Sequence, residues 1–279
     1  LGYGYYGPID GHDLKKLIKY FEYAKKRDSS VVIHLNTIKG KGYKYSEDDS
    51  NGFWHGTGPF DINTGKQINK LSVNVVPWGK AICSILLSLL EKNKLIKVIN
   101  PAMIVGTFFE EIEEKFPNQI IDVGINEEHA VVMAAAMSRC DIIPIVSIYS
   151  TFLQRAYDEV LHDVCRSDNH VIFLLDHAGI VSSDGSTHQG VFDIPMLLSM
   201  PNMVIATPSN IDDARQLLDI AVEIKHPMAI RYPKDNINLN ITSNGKIELG
   251  KWQILKPISD VNIITYGDVI NDIYHKVNN

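Results

Sequence analysis

Short apolar segments that alternate with helix-like segments are the feature of this sequence that most constrains its fold. The apolar segments are rich in Val and Ile and have little polar alternation, which is typical of strands buried on both faces. Candidate strands are residues 31–35, 120–123, 142–148, 171–175, 203–206 and 228–231. Their alternation with helices predicts an α/β fold in which helices flank a parallel sheet.

Four segments with helical periodicity lie between the candidate strands, at residues 78–90, 127–139, 152–164 and 212–224. The second of them is apolar almost all round, which predicts a buried helix. For the last one we predict a start behind Ser209, whose hydroxyl would form a capping box with Asp212.

Two polar stretches, residues 46–74 and 235–250, are rich in Gly, Asp and Asn, and we interpret both as linkers between domains. Residues 75–235 are then predicted to form a complete domain. Residues 1–45, with one helix and one strand, would be the end of an N-terminal domain. Residues 251–279, with about two strands and the start of a helix, would begin a C-terminal domain. Neither terminal piece holds enough structure to bury a core alone.

The composition excludes several classes of protein. With 45% hydrophobic and 22% charged residues among 279, the chain has an ordinary globular composition. No apolar run reaches the roughly 18 residues that a membrane span needs. The net charge is -6 and no dense basic run extends beyond residues 39–44, so nucleic acid is a poor candidate partner. Three widely spaced cysteines without a C-x-x-C pair predict neither a zinc ribbon nor a disulfide framework.

Two carboxylates, Glu127 and Glu128, open a predicted helix directly after the strand at 120–123. The carboxyl end of a strand is where parallel α/β sheets bind ligands. Acidic residues in a first helical turn also complement the helix dipole. The position alone leaves both interpretations open.

Other predicted strand ends carry polar and aromatic groups in the same way. Each group is by itself more often structural than functional, but four such strand ends in one domain favour a ligand site. The loop at 176–190 holds two His and two Asp without the spacing of a zinc motif. The candidate residues are Tyr149, Phe152 and Arg155 after one strand, His177, Asp184 and His188 after the next, Arg231 at the end of another, and the isolated His55.

Several long motifs make a family resemblance specific. They are GPIDGHD from Gly7, KGKGY from Lys39, YSTFLQRAYDEVLHDV from Tyr149, AGIVxxDGxTHQG from Ala178 and RYP from Arg231. With these motifs the chain resembles the 1-deoxy-D-xylulose-5-phosphate synthases, which are thiamin-diphosphate enzymes of the transketolase-like superfamily, from residue 7 to about 272. Transketolases and pyruvate dehydrogenase β chains share the fold and the glutamate but lack these motifs. They remain the alternative, together with a cofactor-binding fragment that does not turn over.

The resemblance implies a reaction. Enzymes of this family condense pyruvate with D-glyceraldehyde 3-phosphate to 1-deoxy-D-xylulose 5-phosphate and CO2, the first step of the non-mevalonate isoprenoid pathway, which also serves thiamin biosynthesis. The cofactors are thiamin diphosphate and Mg2+. A homodimer in a bacterial cytoplasm or a plastid, including an apicoplast, is the expected setting.

The resemblance also implies roles for individual residues. Glu127 would hydrogen-bond N1′ of the aminopyrimidine, and His55, His188 and Asp184 would be catalytic with it. Imidazoles suit proton transfer because they titrate near neutrality. Phe152 would stack on the aminopyrimidine and Lys39 would contact the cofactor. Arg155 would bind substrate, and Tyr149, His177 and Arg231 would bind the acceptor's phosphate.

Two departures from the family pattern matter. Family members usually have Arg at the place of His177, and a His is a shorter donor to phosphate. The Gly-Asp-Gly…Asn motif, which binds diphosphate through Mg2+, is expected before Leu1, on a preceding segment or on a separate N-terminal fragment. We therefore expect no metal ligands in these 279 residues and no activity from them alone.

Overall fold

The computed structural model describes residues 2–49, 52–68, 71–181, 184–243, 245–257 and 260–277. The chain divides into two compact units, Leu1–Lys70 and Leu71–Asn279, and each is described by itself. This division lies inside the stretch predicted as the first linker. The domain boundaries given above remain predictions. In the described ranges no helix is both long and apolar enough to cross a membrane.

The first unit is built on a parallel strand pair. Strands β1 (Gly4–Asp10) and β2 (Val31–Asn36) are joined by helix α1 (Leu14–Lys25), which begins at Asp13, whose carboxylate accepts from the backbone N–H of Lys16 at 3.1 Å. A short helix α2 (Lys44–Glu47) and a 3₁₀ turn (Phe53–His55) follow. The expectation of a single strand in residues 1–45 was wrong, because two glycines and a proline weaken the strand signal of β1.

A six-stranded parallel sheet in the order β5-β4-β6-β7-β9-β8 forms the centre of the second unit. This sheet, with helices on it, confirms the predicted α/β fold. A separate antiparallel pair joins β3 to β10. The strands are β3 (Val75–Pro77), β4 (Ile96–Asn100), β5 (Ile120–Asp122), β6 (Ile143–Tyr149), β7 (Ile172–Asp176), β8 (Val204–Ala206), β9 (Met228–Arg231) and β10 (Asn236–Asn238).

Helices cover both faces of this sheet. Within β6, Ile145 belongs to the core beneath α3 and α8, whereas its neighbour Val146 belongs to the core beneath α5. Because consecutive residues are buried on opposite faces of the sheet, the strand sequences are nearly continuous apolar runs. Each large side chain buried in these cores contributes about 1.5–3 kcal/mol. The helices are α3 (Trp78–Lys92), α4 (Glu110–Lys115), α5 (Glu127–Ser138), α6 (Tyr157–Glu159), α7 (Asp193–Leu198), α8 (Ile211–Glu223) and α9 (Val269–Val277).

Three local predictions need correction. The helix expected at 152–164 is a 3₁₀ turn (Phe152–Ala156), the short α6 and a π-helical turn (Val160–Cys165). Helix α8 is capped by Asn210 rather than Ser209, because the Asn210 side chain accepts from the backbone N–H of Asp213 at 3.0 Å. Among the described residues from 251 onward, α9 is present but no strand is found.

Candidate functional site

The predicted site residues of the second unit cluster at the carboxyl edge of its sheet. Tyr149 ends β6, Arg231 ends β9, and His177 directly follows β7, while Glu127 opens the helix after β5. Since the strands are parallel, their carboxyl ends meet at one edge, where α/β sheets bind ligands. The structure therefore places these four residues on the same edge, as the sequence predicts.

Glu127 is a buried carboxylate at the start of α5. This helix is capped by Asn126, whose side chain accepts from the backbone N–H of His129 at 3.3 Å. Glu127 is 6% exposed, and its Oε1 lies 3.8 Å from Nε of Arg155, whose side chain is 64% exposed. A carboxylate that only complements a helix dipole has no need of burial. Its burial therefore favours a ligand-binding role over a purely structural one.

Four aromatic rings lie next to one another between β6 and the loop after β7. Tyr149 stacks on Phe152, with centroids 5.5 Å apart, and on His177 at 3.7 Å. His188 meets Phe152 edge to face at 5.4 Å. Tyr149 is buried and its hydroxyl donates to the carbonyl of Gly106 at 3.3 Å. Burial raises the pKa of the Tyr149 phenol, so the group stays neutral and serves as a donor.

His177 lies between two carboxylates. Its Nδ1 is 2.9 Å from Oδ1 of Asp176 and its Nε2 is 3.2 Å from Oδ2 of Asp184, while the residue is only 4% exposed. Burial raises the pKa of the Asp176 carboxyl, and hydrogen bonds from His177 oppose this shift. A neutral imidazole has one N–H and can donate only one hydrogen bond. Both contacts are therefore hydrogen bonds only when one more proton is bound, either on the imidazole or on one of the two carboxylates. Lys234 Nζ contacts both carboxylate oxygens of Asp184 on its other side.

Arg231 forms a buried bidentate ion pair. Its Nε donates to Oδ2 of Asp193 at 2.9 Å and a terminal nitrogen donates to Oδ1 at 3.2 Å. The side chains of Arg231 and Asp193 are 8% and 0% exposed. Two parallel charge-assisted hydrogen bonds fix the guanidinium in position. The positive charge of Arg231 is thus neutralised inside the protein.

The Gly-rich loop after β7 folds back onto His177. Gly179 and Gly190 exchange backbone hydrogen bonds of 2.7 and 2.8 Å. A Cβ at Gly190 would lie 2.1 Å from the carbonyl oxygen of His177, so only glycine fits there. This close approach explains the glycine in the motif and places Asp184 and His188 at the same edge.

Lys39 and His55 belong to the first unit, where Lys39 Nζ lies 2.6 Å from Nδ1 of His55. Both residues are exposed. The structure thus brings these two predicted site residues together within their own unit. In the part of the chain that the structure describes, no group of three or more His, Cys, Asp or Glu is arranged to hold a metal ion.

Sequence reasoning missed three charged residues at the edge of the sheet. Asp176 lies in the loop at 176–190 but received no role, and Asp193 and Lys234 lie just beyond the motifs that end at Gly190 and Pro233. Each of them pairs with a residue that was predicted for the site. The signal available in the sequence was a residue of opposite charge next to a motif. This signal is weak when the fold is unknown.

Comparison with known families gives two matches. Residues 74–240 match the family described as transketolase, pyrimidine binding domain. Residues 1–37 match the family described as 1-deoxy-D-xylulose-5-phosphate synthase.

Curated relatives agree with these matches. A 1-deoxy-D-xylulose-5-phosphate synthase of Listeria monocytogenes is 46% identical over 274 residues, which cover 97% of this chain and 45% of the relative. The enzyme of that name from Clostridium tetani is 44% identical over 275 residues, covering 99% of this chain and 44% of the relative. The chain thus spans a little under half the length of these relatives.

Solved structures share the fold. A split gene transketolase, described as an inactive beta4 tetramer, superposes with a TM-score of 0.58 and 24% identity over 65% of this chain and 59% of that one. Transketolase from Leishmania mexicana gives a TM-score of 0.55 and 20% identity over 61% of this chain and 27% of that one. These likenesses concern the fold alone. Because the family match covers most of its second unit, this chain belongs to the transketolase pyrimidine-binding domain family, and it is similar to the 1-deoxy-D-xylulose-5-phosphate synthases.

Proposed function

We propose that this chain supplies the aminopyrimidine-binding half of the site in a thiamin-diphosphate enzyme of the transketolase type. The proposed reaction condenses pyruvate with D-glyceraldehyde 3-phosphate to 1-deoxy-D-xylulose 5-phosphate and CO2, which would feed isoprenoid and thiamin biosynthesis. The observation that carries the proposal is the buried Glu127 at the carboxyl edge of the sheet. Similarity to synthases of this reaction along almost the whole chain supports the choice of substrates.

The residues at this edge suit the aminopyrimidine end of the cofactor. The carboxyl group of Glu127 would hold a proton at N1′, and the half-buried ring of Phe152 would offer a face for stacking. When bound, thiamin diphosphate supplies an electron sink for the carbonyl carbon of the donor substrate. Mg2+ and the diphosphate would be held by another part of the enzyme, on this polypeptide or on a separate N-terminal fragment.

Residues around the ring cluster would manage protons and substrate groups. His188, half-buried against Phe152, would donate or accept a proton. His55, which is described with the first unit, remains a proposed proton donor or acceptor. Lys39 is proposed as a cofactor contact. Arg155, largely exposed beside Glu127, would hold the pyruvate carboxylate, because its fork matches carboxylate oxygens.

Asp184 would accept hydrogen bonds from the acceptor's hydroxyls. Tyr149, His177 and Arg231 would shape the acceptor side of the site. The contacts of His177 and Arg231 with buried carboxylates favour positioning roles for both, rather than direct contact with phosphate. A homodimer in a bacterial cytoplasm remains part of the proposal, whereas the bacterial relatives lend no support to a plastid.

A second candidate is a different transketolase-type activity, either transketolase itself or an E1 β subunit. The transketolase fold of the second unit is the observation in its favour. A third is a fragment that binds cofactor without turnover. Here "complete enzyme" means this chain together with the part that binds the diphosphate, whether or not both lie on one polypeptide.

The complete enzyme is expected to form 1-deoxy-D-xylulose 5-phosphate and CO2 from pyruvate and D-glyceraldehyde 3-phosphate. It is expected to transfer no two-carbon unit from a ketose phosphate, since the motifs are those of the synthases. Product analysis by mass spectrometry with labelled pyruvate measures both. Ketol transfer from xylulose 5-phosphate, without condensation of pyruvate, would establish the transketolase alternative.

The 279-residue chain alone is expected to bind thiamin diphosphate weakly, without dependence on Mg2+, and to be inactive. Charge-assisted contacts of diphosphate and Mg2+ supply most of the affinity for such a cofactor. The described residues offer no cluster of three metal ligands for them. Calorimetry of the chain with and without Mg2+ tests this, with the complete enzyme as control. Tight, Mg2+-dependent binding to the chain alone would contradict the proposed division of the site.

A further inference from the structure

Asp176 is a buried acidic residue at the end of β7 to which the proposed function gives no role. It is 3% exposed, and its Oδ1 accepts from the backbone N–H of His177 at 2.6 Å while facing Nδ1 of the same residue at 2.9 Å. The opposite ring nitrogen, Nε2, lies 3.2 Å from Oδ2 of Asp184. A carboxylate that binds one imidazole nitrogen sets what the other nitrogen can do. Asp176 is therefore placed to control the contact between His177 and Asp184.

These three groups hold a definite number of protons. Two carboxylates face one imidazole, so a second hydrogen bond requires one proton more than a neutral imidazole carries. Burial raises the pKa of the Asp176 carboxyl, against the hydrogen bonds from His177. Without the extra proton, a ring nitrogen and a carboxylate oxygen would face each other with no hydrogen between them, which is costly at a buried residue. The proton is bound at low pH and is lost as the pH rises.

The aromatic groups around His177 add no charge near neutrality. Tyr149 covers the imidazole at 3.7 Å, and burial raises the pKa of its phenol. Tyr232, which follows β9, is fully buried, and burial raises the pKa of its phenol well above the usual value. Both phenols therefore stay neutral. His188, on the same loop as Asp184, meets the ring of Tyr149 at 6.3 Å between centroids.

The charged neighbours keep the same contacts whether or not the extra proton is bound. Lys234 contacts both carboxylate oxygens of Asp184 from the exposed side, and lysine ammonium groups are charged near neutrality. Arg231 and Asp193 form a buried pair of opposite charges. The contact between His177 and Asp184 is thus the one among these that depends on the extra proton.

We propose that Asp176 is a positioning residue for Asp184, and that it acts through a proton shared with His177. The inference rests on the proposed function, in which Asp184 accepts hydrogen bonds from the acceptor's hydroxyls. With the proton bound, His177 and Asp184 are joined by a hydrogen bond that holds the Asp184 carboxylate at the edge of the sheet. Without it, the imidazole N–H goes to the buried Asp176, Nε2 has no hydrogen for Asp184, and Asp184 turns toward Lys234.

Hydrogen exchange of the complete enzyme, followed by mass spectrometry from about pH 6 to 9, tests the proposal without reference to activity. In residues 185–190, the N–H of Gly190 donates to the carbonyl of Gly179 at 2.8 Å. Protection of these amides should fall about tenfold as the pH rises, beyond the general acceleration of exchange by base, because a charged hydrogen bond is lost. His177→Gln should abolish this step, since an amide does not titrate. Exchange that shows only the general acceleration in the unaltered enzyme would overturn the proposal.

Asp176→Asn should move the step to lower pH by about one unit or more, because a neutral amide no longer favours the extra proton. Asp168→Asn is the matched control: Asp168 faces Nδ1 of His226 at 2.8 Å, with side chains 39% and 55% exposed, and its loss should leave the step in place. A step at the same pH in Asp176→Asn and in the unaltered enzyme would show that Asp176 does not hold the proton.

Kinetics separate failure of this inference from failure of the proposed function. In an active synthase, kcat/KM for D-glyceraldehyde 3-phosphate should fall over the same pH step and shift with it in Asp176→Asn, while KM for pyruvate should follow neither change. If the exchange results hold in a protein that makes no 1-deoxy-D-xylulose 5-phosphate, the shared proton stands and the proposed function fails. An unshifted kcat/KM profile of Asp176→Asn, in an active synthase, would show that Asp176 does not position Asp184 for the acceptor.

Discussion

Glu127→Gln in the complete enzyme is expected to lower kcat by about 10²–10⁴-fold, the usual scale for a lost acid–base group. An amide has no acidic proton to share with N1′ of the aminopyrimidine, although it can still form a neutral hydrogen bond there. Binding of thiamin diphosphate should therefore weaken far less than turnover. Steady-state kinetics and the exchange of the cofactor's C2 proton with deuterium measure the two chemical effects directly.

The same substitution is expected to leave the fold intact. Glu127 contacts Arg155 at 3.8 Å, and Arg155 is mostly exposed, so loss of the carboxylate leaves a solvated guanidinium rather than a buried unpaired charge. The loss of one acidic group from the first turn of α5 costs about 0.3–1 kcal/mol. The unfolding transition of the variant should accordingly lie close to that of the unaltered chain.

Glu128→Gln is the matched control, because Glu128 occupies the next position of the same helical turn and is only half-buried. It removes the same charge from the same helix end and should change kcat less than about threefold, well below the scale of a lost acid–base group. C2 exchange at the unaltered rate in Glu127→Gln, or equal losses in the two variants, would show that the cofactor is activated by another group.

Central strands could be predicted from the sequence because burial on both faces leaves a compositional signal. The strand at 228–231 is found with the predicted bounds, and those ending near Tyr149 and Asp176 are found within one residue. In β6, Ile145 and Val146 face different cores, so consecutive positions are buried and most of them are apolar. Such strands can therefore be predicted from the sequence without knowledge of the fold.

Strands that contain polar residues lack that signal. β4 has the sequence IKVIN, in which Lys97 is only partly buried and Asn100 is buried but polar. The Asn100 side chain is accommodated by hydrogen bonds to Thr107 and to the backbone of Met103, which are visible only in the folded chain. β10, with the sequence NIN, is a strand because it pairs with β3. Tertiary context, not local preference, decides such segments.

The position of the candidate site could be predicted from the sequence, but the charged partners of its residues could not. Strand ends identify which side chains share the edge, and the structure places Tyr149, His177 and Arg231 there. The oppositely charged partners lie far apart in the sequence. Asp193 and Arg231 differ by 38 in residue number, and Asp184 and Lys234 differ by 50. They meet only because β6, β7 and β9 are neighbours in the sheet. The roles of the individual residues remain predictions.

Asp193→Ala is expected to produce the largest loss of stability at this edge, about 3–5 kcal/mol in the free energy of unfolding, the scale for removing one partner of a buried pair. The substitution leaves the guanidinium of Arg231, whose side chain is 8% exposed, without its carboxylate. Arg231→Met should be similarly costly, because it leaves a fully buried Asp193 carboxylate uncompensated. Urea unfolding of the chain, followed by circular dichroism, measures both variants.

The double variant Asp193→Ala/Arg231→Met decides how the loss arises. If the single variants suffer because a charge is stranded in the interior, the double variant should recover much of their loss, since no buried charge remains. Asp212→Ala is the control for a carboxylate paired at the surface: Asp212 and Arg215 have side chains 36% and 54% exposed, and its loss should cost less than about 1 kcal/mol. Additive losses in the double variant, or equal losses in Asp193→Ala and Asp212→Ala, would mean that the buried pair does not hold Arg231 in place. Arg231 would then be available to the acceptor's phosphate.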